Sequence, residues 1–244
     1  MELIFRLEQK IKKQFALLID PDKRQTEDYA RMAKLAAQHS VDYIFVGGSL
    51  LTRDNMDECV KTIKANCDVP VILFPGNTHQ LTKYADGILF LSLISGRNPE
   101  MLIGKHVTVA PLIKQMPIEV IPTGYLLIDG GKTSSAQYMS HSEPIPADKF
   151  DIAACTALAG EMLGMRSIYM DAGSGAPTPI KPAMIERVKE YISVPLIVGG
   201  GIRNATLAVD ACRAGADVVV VGNAIEKDDK LIGSIADAVH SLKY

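Results

Sequence analysis

The sequence predicts an α/β barrel of the (β/α)8 type, and three observations carry that prediction. Short apolar runs recur along the whole chain, amphipathic helical patterns lie between most of them, and no linker interrupts the 244 residues. That length is ordinary for one barrel and long for most other single domains. We therefore expect one domain over residues 1–244.

The apolar runs fall at 15–19, 43–46, 71–74, 87–91, 120–128, 167–170, 195–198 and 218–221. Most are rich in Val, Ile or Leu without strict alternation, as strands covered on both faces should be. Helical patterns occupy 27–38, 56–65, 147–163, 182–191 and 205–214, the last stopped by Gly215. An open doubly wound sheet satisfies the same alternation and is the alternative architecture.

Two places break the pattern. Only residues 75–86 separate the third run from the fourth, and Pro75, Gly76, Asn77 and Thr78 disfavour a full helix there. The third helix should be irregular or missing. Residues 129–146, after the fifth run, are polar and punctuated by Gly and Pro. They emerge where barrel active sites are built, as a lid, a surface excursion or a subunit contact.

Hydrophobic residues make up 48% of the chain, enough for a large core, and the net charge is −2. Without a basic block, general nucleic-acid binding is excluded as an expectation, because it needs clustered Lys and Arg. No apolar run is long enough to suggest a transmembrane segment. The Met1-Glu2-Leu3-Ile4 start lacks the order of a signal peptide. Cys59, Cys67, Cys155 and Cys212 form no CxxC pair and read as reduced packing residues of a cytoplasmic protein.

The last three strands all end in glycine: Gly173-Ser174-Gly175, Gly199-Gly200-Gly201, and Gly222-Asn223 opening a short helix. Glycine exposes backbone N–H groups and tolerates positive φ. One such turn is only a tight turn. Three on consecutive strands converge their donors, and that suits a phosphate dianion. Asp171 lies beside this loop, with Tyr169 before it. Asp171 can accept hydrogen bonds from ligand hydroxyls, act as a general base, or simply hold the loop.

On the other side of the mouth, the first strand ends in Asp20-Pro21-Asp22-Lys23 and the second in Gly47-Gly48-Ser49. Carboxylate and hydroxyl oxygens are hard ligands, which Mg²⁺ prefers, with substrate phosphates completing its shell. Asp22 reads equally as a helix N-terminal charge, and Asp20 as a buried, hydrogen-bonded carboxylate. No Ser-His-Asp or Cys-His arrangement is visible, nor a Schiff-base lysine within a strand.

The motifs LIDPDK (18–23), VGGS (46–49), GYLLIDGGKTSS (124–135), YMDAGSGAP (169–177), VGGGIR (198–203) and VVGNAIE (220–226) resemble the geranylgeranylglyceryl phosphate synthases. The resemblance runs along nearly the whole chain, and the stretch LLIDGGKTSSAQYMS (126–140) is similar to the family's second subgroup. It implies a modified TIM barrel that uses Mg²⁺ and joins a polyprenyl diphosphate, geranylgeranyl by the family's name, to the 3-hydroxyl of sn-glycerol 1-phosphate. By motif match, Asp20 and Ser49 are the metal ligands. Tyr169, Met170, Asp171, Ala172, Gly173, Ser174 and Gly175, with Gly200, Gly201, Gly222 and Asn223, hold glycerol phosphate. Asp171 and Tyr169 are then the catalytic pair. Some members carry Lys where this chain has Leu18. A homo-oligomer, dimer or hexamer, is expected. The rival readings are an isomerase or aldolase acting on a sugar phosphate, and a non-catalytic phosphate- or flavin-binding module.

Overall fold

The computed structural model describes residues 3–8, 12–23 and 25–242. The Met1-Glu2 start lies outside the described residues. In chain order the elements are α1 (Leu3–Glu8), β1 (Gln14–Ile19), a 3-10 turn (Pro21–Lys23), α2 (Thr26–Gln38), β2 (Tyr43–Val46), α3 (Met56–Asn66), β3 (Val71–Leu73), β4 (Gly87–Ser92), a π-helical turn (Glu100–Gly104), α4 (Lys105–Ile113) and β5 (Glu119–Leu127). They continue as α5 (Ser135–Ser140), α6 (Phe150–Met162), β6 (Ser167–Asp171), α7 (Pro182–Tyr191), β7 (Leu196–Gly199), α8 (Ala205–Arg213), β8 (Val218–Val221), α9 (Asn223–Lys227) and α10 (Leu231–His240).

The strands pair in parallel, in sequence order, and close into a barrel where β1 meets β8 with Leu17 beside Val221. The open doubly wound alternative is thereby excluded. Side chains alternate between two cores. Tyr43, Phe45, Leu89, Tyr125, Tyr169 and Val220 fill the barrel interior, while Ile44, Val46, Ile88, Met170 and Val219 pack outward against the helices. This two-sided burial is why the strands read as continuous apolar runs.

No helix forms between β3 and β4, as expected from the Pro- and Gly-containing segment. Four helices escaped the sequence reading: α1, α4, α5 and α10. Of these, α4 carries Pro111 inside it and packs few residues inward. Helix α1 has Leu3, Ile4 and Leu7 buried against the barrel interior. The first N–H groups of α1 donate to the Glu119 carboxylate, Leu3 at 2.5 Å and Ile4 at 2.8 Å. That contact closes the N-terminal end of the barrel.

Around the same end, carboxylates take up backbone N–H groups at strand starts: Asp42 from Phe15, Asp86 from Val71 and Asp217 from Leu196. Asp217 also receives the Lys189 ammonium at 2.5 Å and faces Lys13 at 3.7 Å. Burial lowers the Lys13 pKa, and Asp217 opposes that shift. All four cysteines are free thiols; Cys59 and Cys212 are buried, but Cys155 is exposed on α6 and is not a packing residue. No helix among the described residues is long and apolar enough to cross a membrane.

Asp217→Ala strands two cations and one N–H at the barrel base. It should lower unfolding free energy by about 3–5 kcal/mol, read as a fall in the urea midpoint. A midpoint within error of the wild type would show that the pair is solvated rather than structural.

Candidate active site

Parallel register places the site residues before any side chain is considered. Asp171 pairs with Leu127 on one side and Gly199 on the other, and Tyr169 pairs with Tyr125. All lie at the C-terminal end of the strands, and the turns that follow β6, β7 and β8 meet there.

Gly200 adopts φ +82°. A Cβ on it would lie 2.6 Å from both the Asp171 Oδ1 and the Ala172 N, so only glycine lets the two loops meet. The β6 and β8 turns are tied together by Ser174 Oγ, which donates to Asn223 Oδ1 at 2.9 Å. Gly222 has φ −124°, so its role is close approach: a Cβ there would meet Leu18 at 3.3 Å. Of the residues expected around a phosphate, Tyr169, Asp171, Ser174, Gly175, Gly200, Gly201, Gly222 and Asn223 line one cavity. Met170 instead packs outward, and Ala172 and Gly173 shape the loop from behind.

Asp171 is buried, and its carboxylate accepts from Tyr125 Oη at 2.6 Å and from Gly173 N at 2.7 Å. Burial raises its pKa, and these two donors only partly oppose that shift. The carboxylate is therefore oriented and more basic than an ordinary Asp. Tyr125 was missed in the sequence because its partner is 46 residues away; only the β5–β6 pairing brings them together. Tyr169 stacks on Phe74 with ring centroids 4.9 Å apart, and its hydroxyl has no hydrogen-bond partner among the described residues. That hydroxyl sits over Gly199, 2.5 Å from where a Cβ would be.

Across the mouth, Asp20 accepts from Asp22 N at 3.1 Å and faces Lys23 Nζ at 3.3 Å. Gly48 comes so near that a Cβ on it would lie 3.2 Å from the Asp20 carboxylate. Asp20 and Ser49 thus line the same wall of the cavity. Asp22 serves elsewhere. Its carboxylate takes the Thr52 N and Oγ1 and the Arg53 N, pinning the loop after β2 rather than offering a ligand or capping α2.

Buried Gln80 holds the Ser49 loop from behind. It donates to Gly48 O at 2.7 Å and accepts from Gly48 N at 3.2 Å and Gly76 N at 3.0 Å. The segment that lacks a helix is therefore a bracket for the loop carrying Ser49.

The cavity holds about 970 Å³, at the upper end of ordinary ligand sites. Beyond its polar mouth it runs over the outer face of β4, into the space left by the missing helix. Leu81, Ile88, Phe90, Val109 and Ile113 line this arm. His106 closes edge-on to the Phe90 ring at 4.5 Å, and burial lowers its pKa, keeping it neutral in apolar surroundings. The sequence does not mark this arm, because its residues are ordinary core types drawn from separate elements.

The 129–146 stretch contains α5 and lies against the segment that follows β6. Gly130 O accepts from Thr178 N at 3.2 Å, and Ile145 bridges back to Ile128. Ser135, Ala136, Met139 and Ser140 face the cavity. It forms a wall of the site.

If the glycine turns hold a phosphate, inorganic phosphate should raise the melting temperature, and Gly200→Val should abolish that rise. Valine at positive φ is strained by about 1–3 kcal/mol, so the comparison is made between ligated and free forms of each protein. A variant that keeps the full phosphate-induced shift would place the anion elsewhere.

The chain matches the PcrB family over residues 8–239. It is 57% identical over 229 residues to a geranylgeranylglyceryl phosphate synthase of Chitinophaga pinensis, covering 94% of this chain and 91% of that one. It is 43% identical over 228 residues to a protein of the same name from Pyrococcus furiosus, covering 93% and 88%. Among solved structures it is similar to (S)-3-O-geranylgeranylglyceryl phosphate synthase from Thermoplasma acidophilum in complex with its substrate sn-glycerol-1-phosphate. That match has a TM-score of 0.94 and 33% identity, over 99% of this chain and all of the other. The barrel, the three glycine turns and these matches agree: the chain belongs to the PcrB family.

Proposed function

We propose that the protein is a prenyltransferase that joins a polyprenyl diphosphate to the 3-hydroxyl of sn-glycerol 1-phosphate, forming an ether-lipid precursor and diphosphate. The observation that carries this reading is the shape of the cavity. One polar end is built from glycine turns, and an apolar arm lined by Ile88, Phe90, Val109 and Ile113 belongs to the same cavity as Asp20 and Ser49. A sugar-phosphate isomerase or aldolase needs the glycine turns but has no use for the arm.

Glycerol phosphate is held by its phosphate at the glycine turns, which directs its hydroxyls at Asp171 and Tyr169. Fixing both substrates in one cleft replaces a bimolecular encounter by a positioned one. The bond from prenyl C1 to the diphosphate oxygen breaks, and glycerol O3 forms the new bond to C1. The O3 proton passes to the Asp171 carboxylate, whose raised pKa suits a base. The free Tyr169 hydroxyl steadies the acceptor. The apolar arm holds the tail and excludes water from the developing carbocation.

Among the described residues no group of three or more His, Cys, Asp or Glu could hold a metal alone. One carboxylate and one hydroxyl, Asp20 and Ser49, fit Mg²⁺, which commonly takes its remaining oxygens from substrate phosphates and water. When bound, Mg²⁺ supplies charge neutralisation for the leaving diphosphate. The four free thiols suit the reducing cytoplasm. Exposed Ile103, Val107, Met162 and Leu163 are available for homo-oligomer contacts, as in a dimer or hexamer.

Labelled sn-glycerol 1-phosphate, incubated with prenyl diphosphates of ascending length and Mg²⁺, should enter the organic phase as the ether product. Chelation should stop this, and added Mg²⁺ should restore it. If no donor yields extractable label while a sugar phosphate is turned over, the isomerase reading takes its place.

The same assay read against pH tests the base. Protonation of Asp171 removes its acceptor, so kcat/KM should fall as pH drops through its raised pKa. Tyr125→Phe deletes a donor that stabilises the carboxylate, which raises that pKa further and moves the acid limb to higher pH. An unmoved limb would show that another group titrates.

A further inference from the structure

We propose that Lys132, on the 129–146 excursion, is a phosphate-binding cation that fixes the glycerol phosphate acceptor; this rests on the prenyltransferase reading only for the identity of the ligand. Its ammonium lies 3.4 Å from the position a Cβ on Gly175 would take, and the Asn223 Nδ2 lies 3.6 Å from the same point. Lys132 therefore stands over the turn after β6, at the edge where the turn after β8 joins it.

Three further observations support the role. First, Lys132 has no carboxylate partner among the described residues, although the surface offers many. Second, its segment is fixed. Gly131 N donates to Asp129 Oδ1 at 2.8 Å, Thr178 N donates to Gly130 O at 3.2 Å, and a Cβ on Gly173 would meet the Ser134 Cβ at 2.6 Å. The excursion is thereby docked on the phosphate loop on both sides of Lys132.

Third, the cations lining the cavity are Lys23, Lys105, Lys227 and Arg203, of which Lys105 donates to Asn77 Oδ1 at 3.3 Å and Lys227 sits in the last turn of α9. The glycine turns offer neutral donors, while Asp20, Asp171 and Glu226 face the same cavity and oppose an anion. Lys23 is shared between Asp20 and Glu226, each at 3.3 Å. Arg203 donates to the Pro177 and Gly201 carbonyls. The wall beneath Gly222 is apolar Leu18. A phosphate dianion among these groups needs a cation, and charge-assisted hydrogen bonds are the stronger kind. Lys132 is the ammonium that stands at the Gly175 turn itself, where it can supply one.

The test uses the full chain and the variants Lys132→Met and Lys132→Arg, with two readouts. One is the rise in melting temperature with inorganic phosphate or with sn-glycerol 1-phosphate. The other is KM for each substrate. Lys132→Met should unfold within error of the wild type without ligand and lose most of the phosphate-induced rise. Its KM for glycerol phosphate should increase about 10–100-fold, in keeping with loss of one charge-assisted hydrogen bond. KM for the prenyl diphosphate should change less than threefold. Lys132→Arg should recover part of the glycerol phosphate affinity, because it restores the charge. High ionic strength should weaken phosphate binding in the wild type more than in Lys132→Met.

A Lys132→Met protein that keeps the wild-type phosphate shift overturns the proposal. Equal increases in both KM values also overturn it, because they report a damaged wall rather than a lost cation. The inorganic phosphate arm requires no turnover. A wild type that makes no ether product yet binds phosphate through Lys132 would retain the cation and discard the prenyltransferase reading.

Discussion

Eight parallel strands closed into one ring must all end at the same face, and the rest of this structure depends on that constraint. The ring fixes Asp171 beside Gly199 and Tyr169 beside Tyr125. It also brings the turns after β6, β7 and β8 together without any of them being long. The backbone then does what side chains would do in a looser scaffold. Hydrogen-bond donors are carried on rigid strand ends, so little order has to be gained when an anion arrives. The cost is steric. At Gly200 even one methyl group would collide with three atoms of the neighbouring loop.

The opposite side of the barrel departs from the regular pattern, and that departure enlarges the site. A helix between β3 and β4 would cover the outer face of β4 and shield Ile88 and Phe90 from ligands. Its absence leaves an apolar trough that α4 borders through Val109 and Ile113. The freed segment takes on another task, since Gln80 within it clamps both sides of Gly48 and so fixes the loop that presents Ser49. One missing helix therefore contributes to the apolar arm and to the polar wall at once.

The strands and most helices were legible because burial on both sheet faces leaves a continuous apolar signal, and Gly or Pro marks the ends. The three glycine turns were legible because glycine stands at or just after the ends of three consecutive apolar runs. Tyr125, Gln80 and Lys132 were not. Each matters through a partner that only barrel closure places next to it: Asp171, Gly48 and Gly175 respectively. Asp22 shows the reverse problem. Its position in Asp20-Pro21-Asp22 suggested a second acid for the mouth, yet the loop after β2 takes its carboxylate. Helix α4 hid because Pro111 and an outward apolar face break the amphipathic pattern.

The electrostatics of the mouth explain why its parts are separated as they are. Asp171 and Asp20 occupy opposite walls of one cavity, and two carboxylates in a poorly solvated space repel strongly. Asp171 is stabilised by two short hydrogen bonds and stays more basic than usual. Asp20 is left partly exposed, with Lys23 beside it. A buried, oriented carboxylate suits proton transfer, whereas a solvent-accessible one can exchange a lysine for a divalent cation at small desolvation cost. The difference in burial, more than the identity of either residue, is the ground on which the proposed roles are divided, one acid toward the acceptor hydroxyl and the other toward the diphosphate.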